Sequence, residues 1–234
     1  MRGYRLFQGL LMAGLGFFLL GRVWDGRILL YLNQRFVWLV VLAGLMLLGM
    51  AQVVLQSRPA VGQELERRSA WGLVWLLLPL AVGVMIPARP LSQEMVDVRG
   101  IQTQPLMLRS DAQTQRMELP STQWSVLDWT QAFRLDAEKQ IGQDVDVTGF
   151  VFHDSMLAAD QMMVGRFAIT CCVADAAAVG VVVQSPLAAS FAQGDWVRVS
   201  GRVIWVEVNG ELQAGFEAQM IEKVEAPEQP YLFP

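Results

Sequence analysis

The residues best suited to chemistry sit within a few positions of one another. The chain has two cysteines, and they are adjacent, in the run Arg166-Phe167-Ala168-Ile169-Thr170-Cys171-Cys172-Val173-Ala174-Asp175. Two thiols with a nearby carboxylate admit three chemistries. As thiolates, Cys171 and Cys172 would take zinc or copper(I), and zinc would also accept Asp175 as an oxygen donor. Oxidised to each other, they would close a strained and labile ring. Left unreacted, they would be small apolar fillers of a core. His153, the chain's one histidine, is a fourth candidate ligand at the end of a strand. Met156, Met162 and Met163 could add soft sulfur, although methionine more often fills packing gaps. One histidine leaves no ligand spacing of zinc-finger form, no Ser or Cys sits in a nucleophile elbow, and no glycine-rich phosphate loop follows a strand. These residues predict a non-enzymatic protein.

The surrounding pattern says what must position these groups. Asp144 to His153 alternates, with Val145, Val147, Gly149 and Val151 on one face. Further strand-like runs cover Met162 to Val173, Val179 to Gln184, Trp196 to Val208 and Glu211 to Glu225. Asn209-Gly210 is a strong two-residue hairpin signal, and Pro186 to Gln193 suits a short helix. Five strands with glycines inside the first and fourth predict a small five-stranded β-barrel of the oligonucleotide/oligosaccharide-binding (OB) type, Gly149 and Gly201 bending their strands at the corners. If the second strand runs to Val173, alternation puts Cys171 on the core face with Phe167 and Ile169, and Cys172 on the opposite face; a bulge or the strand's end at Ala174 would instead turn both thiols the same way. Ahead of the barrel, Trp124, Leu127, Trp129, Phe133 and Leu135 fall near helical spacing within Ser121 to Lys139. They predict an amphipathic helix capped by Ser121 or Thr122.

The chain also carries three stretches without a charged side chain. Spans over 5–22, 36–57 and 69–88 meet or approach the roughly 20 apolar residues needed to cross a bilayer. Pro79 kinks the third, and a signal peptide is the alternative for the first. Arg5 and Arg22 stand at the two ends of the first span, and no ionisable group lies inside the uncharged stretches 6–21, 36–57 and 69–88, which argues for an anchor or partner surface over a conducting path. Residues 1–88 carry eight Arg against three acids, and residues 89–234 carry eight Arg and two Lys against nineteen acids, giving +5 and −9. An acidic terminal domain argues against nucleic-acid binding, which needs a positive surface. The expected architecture is membrane-anchored α + β: a transmembrane region over 1–88, a linker over 89–120 with a short strand near Gln104 to Arg109, and an OB-like domain with its leading helix over 121–234. Arg2 and Arg5 favour an inside N-terminus, and three spans then put the terminal domain outside the cytoplasm.

Three strings together resemble a known family: Gly149-Phe150-Val151-Phe152, the Arg166 to Ala176 run with its paired cysteines, and Gly194-Asp195-Trp196-Val197-Arg198-Val199-Ser200-Gly201. With the Ile86-Pro87-Ala88-Arg89-Pro90-Leu91 segment they resemble the DUF1980 family of membrane permease subunits. That resemblance implies an integral protein of the cell membrane acting beside a larger multispan permease of the DUF318 type. It also implies an association with metal homeostasis, zinc foremost. The family string carries over to Cys171, Cys172, Ala174 and Asp175; the resemblance assigns nothing to His153.

Overall fold

The computed structural model describes residues 2–57, 77–78, 80–86, 90–91, 101–102 and 116–233. The chain divides into two compact units, Met1–Arg89 and Pro90–Pro234.

In the first unit, helix α1 (Arg2–Trp24) and helix α2 (Val37–Gln56) run antiparallel. Glycines let them approach. A Cβ on Gly16 would lie 2.9 Å from the Gly44 carbonyl oxygen, and one on Gly9 would lie 2.6 Å from the Leu55 side chain. Small residues at such crossings let two backbones pack without intervening side chains. Arg5 adds a bond from Nη2 to the Val54 carbonyl at 3.3 Å. Both helices are long and apolar enough to cross a membrane, with mean hydropathies of 1.6 and 2.3. Only 17% and 11% of their apolar windows are buried, so most of these side chains face outward. The expected third span, 69–88, lies largely outside the described residues; 77–78 and 80–85 within it are helical.

The second unit is built on one mixed sheet. Its strands are β1 (Ile101–Gln102), β2 (Asp144–Phe152), β3 (Gln161–Ala168), β4 (Ala177–Gln184), β5 (Trp196–Val208), β6 (Glu211–Lys223) and β7 (Tyr231–Leu232). β2 pairs antiparallel with β3 and β5, β3 with β4, and β5 with β6. β4 then meets β6 in parallel at Val183↔Phe216 and Gln184↔Glu217, so the hydrogen bonding returns on itself as a ring. The short β1 and β7 add in parallel to β4 and β3.

The five long strands fall where the sequence pattern puts strands, with differences at the ends. β5 matches its expected bounds, and β6 stops two residues early. β5 and β6 are joined by Asn209 (φ 52°) and Gly210 (φ 84°), both left-handed as a two-residue turn of this kind requires. At Gly201 the β5–β6 register shifts, and a Cβ there would fall 1.9 Å from the Glu217 carbonyl oxygen. Glycine is the residue that permits this strand to bend so close to its neighbour. The helix expected over Pro186 to Gln193 is a single 3-10 turn, Ala188–Ser190, because Gly194-Asp195 begins the next turn before a helix can extend.

Helix α3 (Val126–Asp136) packs beneath the ring. Its N-cap is Ser125, not Ser121 or Thr122. Those two form a separate 3-10 turn, Ser121–Gln123, so the α-helix begins later. Ser125 Oγ accepts the Asp128 N–H at 3.3 Å and Asp128 Oδ2 accepts the Ser125 N–H at 2.9 Å, a reciprocal capping box. Leu127 and Trp129 are fully buried in the core. The Trp129 ring meets Phe216 of β6 edge-on at 5.5 Å and Trp124 at 4.8 Å. The expected strand near Gln104 to Arg109 lies outside the described residues.

Candidate metal site at the β3–β4 turn

The paired cysteines lie beyond the end of β3, not within it. The β3–β4 ladder closes at Ala168↔Ala177, and Ile169 makes one more bond, to the Leu232 carbonyl at 2.9 Å. Residues 170–176 therefore have no strand to continue along and form a turn ending in the 3-10 segment Val173–Asp175. The alternation expected through Val173 stops at Ile169, which is fully buried. Cys171 is exposed and Cys172 half-buried. This overturns the opposite-face arrangement and the placement of Cys171 in the core: once the ladder ends, the pleat no longer dictates side-chain direction.

The Asp175 carboxylate organises the turn. Its Oδ1 accepts the Thr170 N–H at 3.1 Å and its Oδ2 accepts the Cys171 N–H at 2.7 Å. These are donors that the finished ladder would otherwise leave without partners. The Cys171 Sγ lies 3.6 Å from the Cys172 Sγ. Hydrogen bonding of the thiol to Asp175, then to Cys172, pushes the Cys171 thiol up to about 12. Asp175 responds in the opposite sense. Partial burial works to raise its carboxyl, but bonds from the Cys171 thiol and from the Cys171, Thr170 and Cys172 N–H groups outweigh it and hold the carboxyl below its ordinary value. The turn thus stores a proton on sulfur beside a fixed negative charge.

Cys171, Cys172 and Asp175 are brought together; His153 is not. Phe152, the neighbour of His153, pairs with Met163 near the start of β3, whereas the cysteines follow that strand's far end. Six strand residues at about 3.3 Å each separate the two places by roughly 20 Å. His153 instead ties the end of β2 to the loop before β5. Its Nε2 lies 2.8 Å from the Phe191 carbonyl oxygen and its backbone N–H donates to Gln193 Oε1 at 2.7 Å. Met162 and Met163 are buried in the core and Met156 is exposed. Among the described residues, no group of three or more His, Cys, Asp and Glu side chains is arranged to enclose a metal ion as it stands. The turn supplies two adjacent sulfurs with a carboxylate behind one of them.

Two contributors escaped the sequence reading. Thr170 holds Asp175 through its backbone N–H, which no side-chain pattern announces. Arg166 lies close to the cysteine pair in the chain but serves the fold. Its guanidinium donates to the Gln229 and Pro230 carbonyls and stands over the Trp196 ring at 5.8 Å. Burial pushes its pKa down to about 10. Charge-assisted bonds to the two carbonyls hold the chain just before β7 against β3.

The family model of the DUF1980 C-terminal domain matches residues 101–234, which take in the whole sheet, α3 and the cysteine turn. No curated protein matches the chain.

Proposed function

The chain belongs to the DUF1980 family, and on that premise we propose that it is a non-enzymatic accessory subunit of a membrane transport system. Its terminal domain binds and hands on a metal ion, zinc foremost, through Cys171, Cys172 and Asp175. The observation that carries this reading is the 3.6 Å separation of the two sulfurs on an accessible turn. Two thiolates on one tetrahedral zinc, each about 2.3 Å from the metal, stand about 3.8 Å apart. The pair therefore needs only a small side-chain adjustment to grip one ion. Asp175 already accepts the Cys171 backbone N–H at 2.7 Å, so its carboxylate stands beside the pair, placed to join as an oxygen donor.

Two sulfurs and one carboxylate do not complete a structural zinc site, which is closed by four protein ligands. An open, exposed set suits an ion that arrives from one protein and leaves for another. We read the recipient as a multispan permease of the DUF318 type. The ring-like bonding of β2, β3, β4, β6 and β5, with β4 and β6 parallel, supports an OB-like barrel as the scaffold. The two outward-facing apolar helices, with a third span over 69–88, support anchoring in the lipid bilayer of the cell membrane with the domain outside the cytoplasm. The acidic excess of residues 89–234 supports cation handling and disfavours nucleic acid.

The alternative is a protein-interaction module whose cysteines are structural. Exposure of Cys171 favours the metal reading, because a filler thiol belongs in the core. The test is titration of the full chain, reduced and in detergent micelles, with zinc and with copper(I). The proposal expects one ion per chain, bound at least tenfold more tightly than by Cys171→Ser/Cys172→Ser. Equal binding by both proteins rejects it. Capture of the permease by that variant, but not by a chain lacking 121–234, would support the interaction module.

A further inference from the structure

We propose that Cys171 and Cys172 form a reversible dithiol/disulfide switch that controls whether the metal site is loaded. This rests on the metal reading above for its consequence, but its chemistry stands on the turn itself. The two sulfurs are 3.6 Å apart. Both thiols are free, one exposed and one half-buried, so a small disulfide reaches them from solvent. They stand in a turn outside the β ladder. Closing the ring rotates side chains and shifts that turn beyond the β3–β4 ladder, which ends at Ala168↔Ala177.

The exchange balances as follows. The Cys172 thiolate attacks one sulfur of a low-molecular-weight disulfide, glutathione disulfide being the chemical class. The small disulfide's S–S bond breaks, a mixed disulfide forms on Cys172, and one small thiolate leaves, taking up the proton Cys172 lost. Cys171 then loses its proton to solvent and attacks the Cys172 sulfur 3.6 Å away. The mixed disulfide breaks, the Cys171–Cys172 bond forms, and a second small thiolate leaves and takes up a proton from solvent. Two protein thiols lose two electrons and two protons; one small disulfide becomes two small thiols. The ring between adjacent residues is strained, and strained, exposed disulfides are the readily reduced ones. The pair is therefore able to return once oxidant is withdrawn. Oxidation removes both thiolates at once, leaving Asp175 unable to retain zinc alone.

The full chain in detergent is equilibrated with mixtures of reduced and oxidised glutathione, alkylated, and weighed intact and as the tryptic peptide running from Phe167 to Arg198. The expected product is a monomer about 2 Da lighter, closed to alkylation and restored by reductant. Zinc affinity is read on the same samples and falls at least tenfold on oxidation. Glutathione adducts or disulfide-linked dimers in place of the lighter monomer overturn the switch, as does zinc affinity unchanged by oxidation. A chain that gains and loses the 2 Da reversibly but takes no zinc even when reduced retains the redox pair and rejects the metal reading instead.

Discussion

Asp175 and Cys171 are joined twice. The carboxylate accepts the Cys171 backbone N–H at 2.7 Å, and its hydrogen-bonding pull on the thiol holds Cys171 above its ordinary pKa. One bond shapes the turn and the other sets the state of the sulfur, so a single substitution separates them.

Asp175→Asn removes the charge that keeps the Cys171 thiol protonated while leaving an oxygen that can accept a backbone N–H. Cys171 then ionises well below its present value of about 12. The pH dependence of iodoacetamide alkylation, resolved by mass for each cysteine, should shift to lower pH in the variant. An unchanged profile would mean that the thiol–carboxylate bond does not govern the sulfur.

The same shift links to stability. Cys171 ionises at about 12 when folded, against an ordinary 9.0, so an unfolded chain loses this proton first. The contribution is fully present below pH 9.0 and is lost as pH rises toward 12. Chemical unfolding from pH 8 to 11 should show a loss of stability on the alkaline side that is smaller in Cys171→Ala.

Trp129 ties α3 to the sheet through its edge-on contact with Phe216. Trp129→Ala empties a fully buried site, and the expected cost is about 3–5 kcal/mol. Denaturant unfolding followed by circular dichroism measures it. Ser125→Ala removes one half of the capping box and should cost about 0.5–2 kcal/mol, so the two variants rank the roles of helix packing and helix capping.

Gly201 and Gly49 form an internal comparison. A Cβ at Gly201 collides with the Glu217 carbonyl, and one at Gly49 meets nothing within 4 Å among the described residues. Gly201→Ala should open the β5–β6 pairing and destabilise the domain by at least the roughly 1–3 kcal/mol of an overpacked core. Gly49→Ala should leave stability and helicity unchanged or slightly raised, as alanine favours helix. Thermal melts of both in one detergent read the contrast.

How far the sequence could be read depended on whether a local rule governed each position. β5 and its hairpin were legible because Trp196 to Val208 alternates and Asn209-Gly210 suits two left-handed residues. Gly201 was legible as a bend because glycine weakens a strand interior and so marks a bulge or a close backbone approach there. The cysteine turn was misread because alternation has no marker for where a ladder ends: Thr170-Cys171 looks like more strand, and only the pairing of Ala168 with Ala177 stops it. The cap at Ser125 was missed because Ser121, Thr122 and Ser125 are all good caps, and the intervening 3-10 turn decides between them. His153 was grouped with the cysteines on residue type alone. Topology carries it to the opposite end of β3.

The central claim, that one ion is gripped by both sulfurs, is tested most directly by X-ray absorption on the zinc-loaded full chain. The account predicts two sulfur neighbours at about 2.3 Å with oxygen or nitrogen donors completing the shell, and loss of the sulfur shell in Cys171→Ser/Cys172→Ser. A zinc shell of oxygen and nitrogen alone in the unaltered, reduced protein would contradict it.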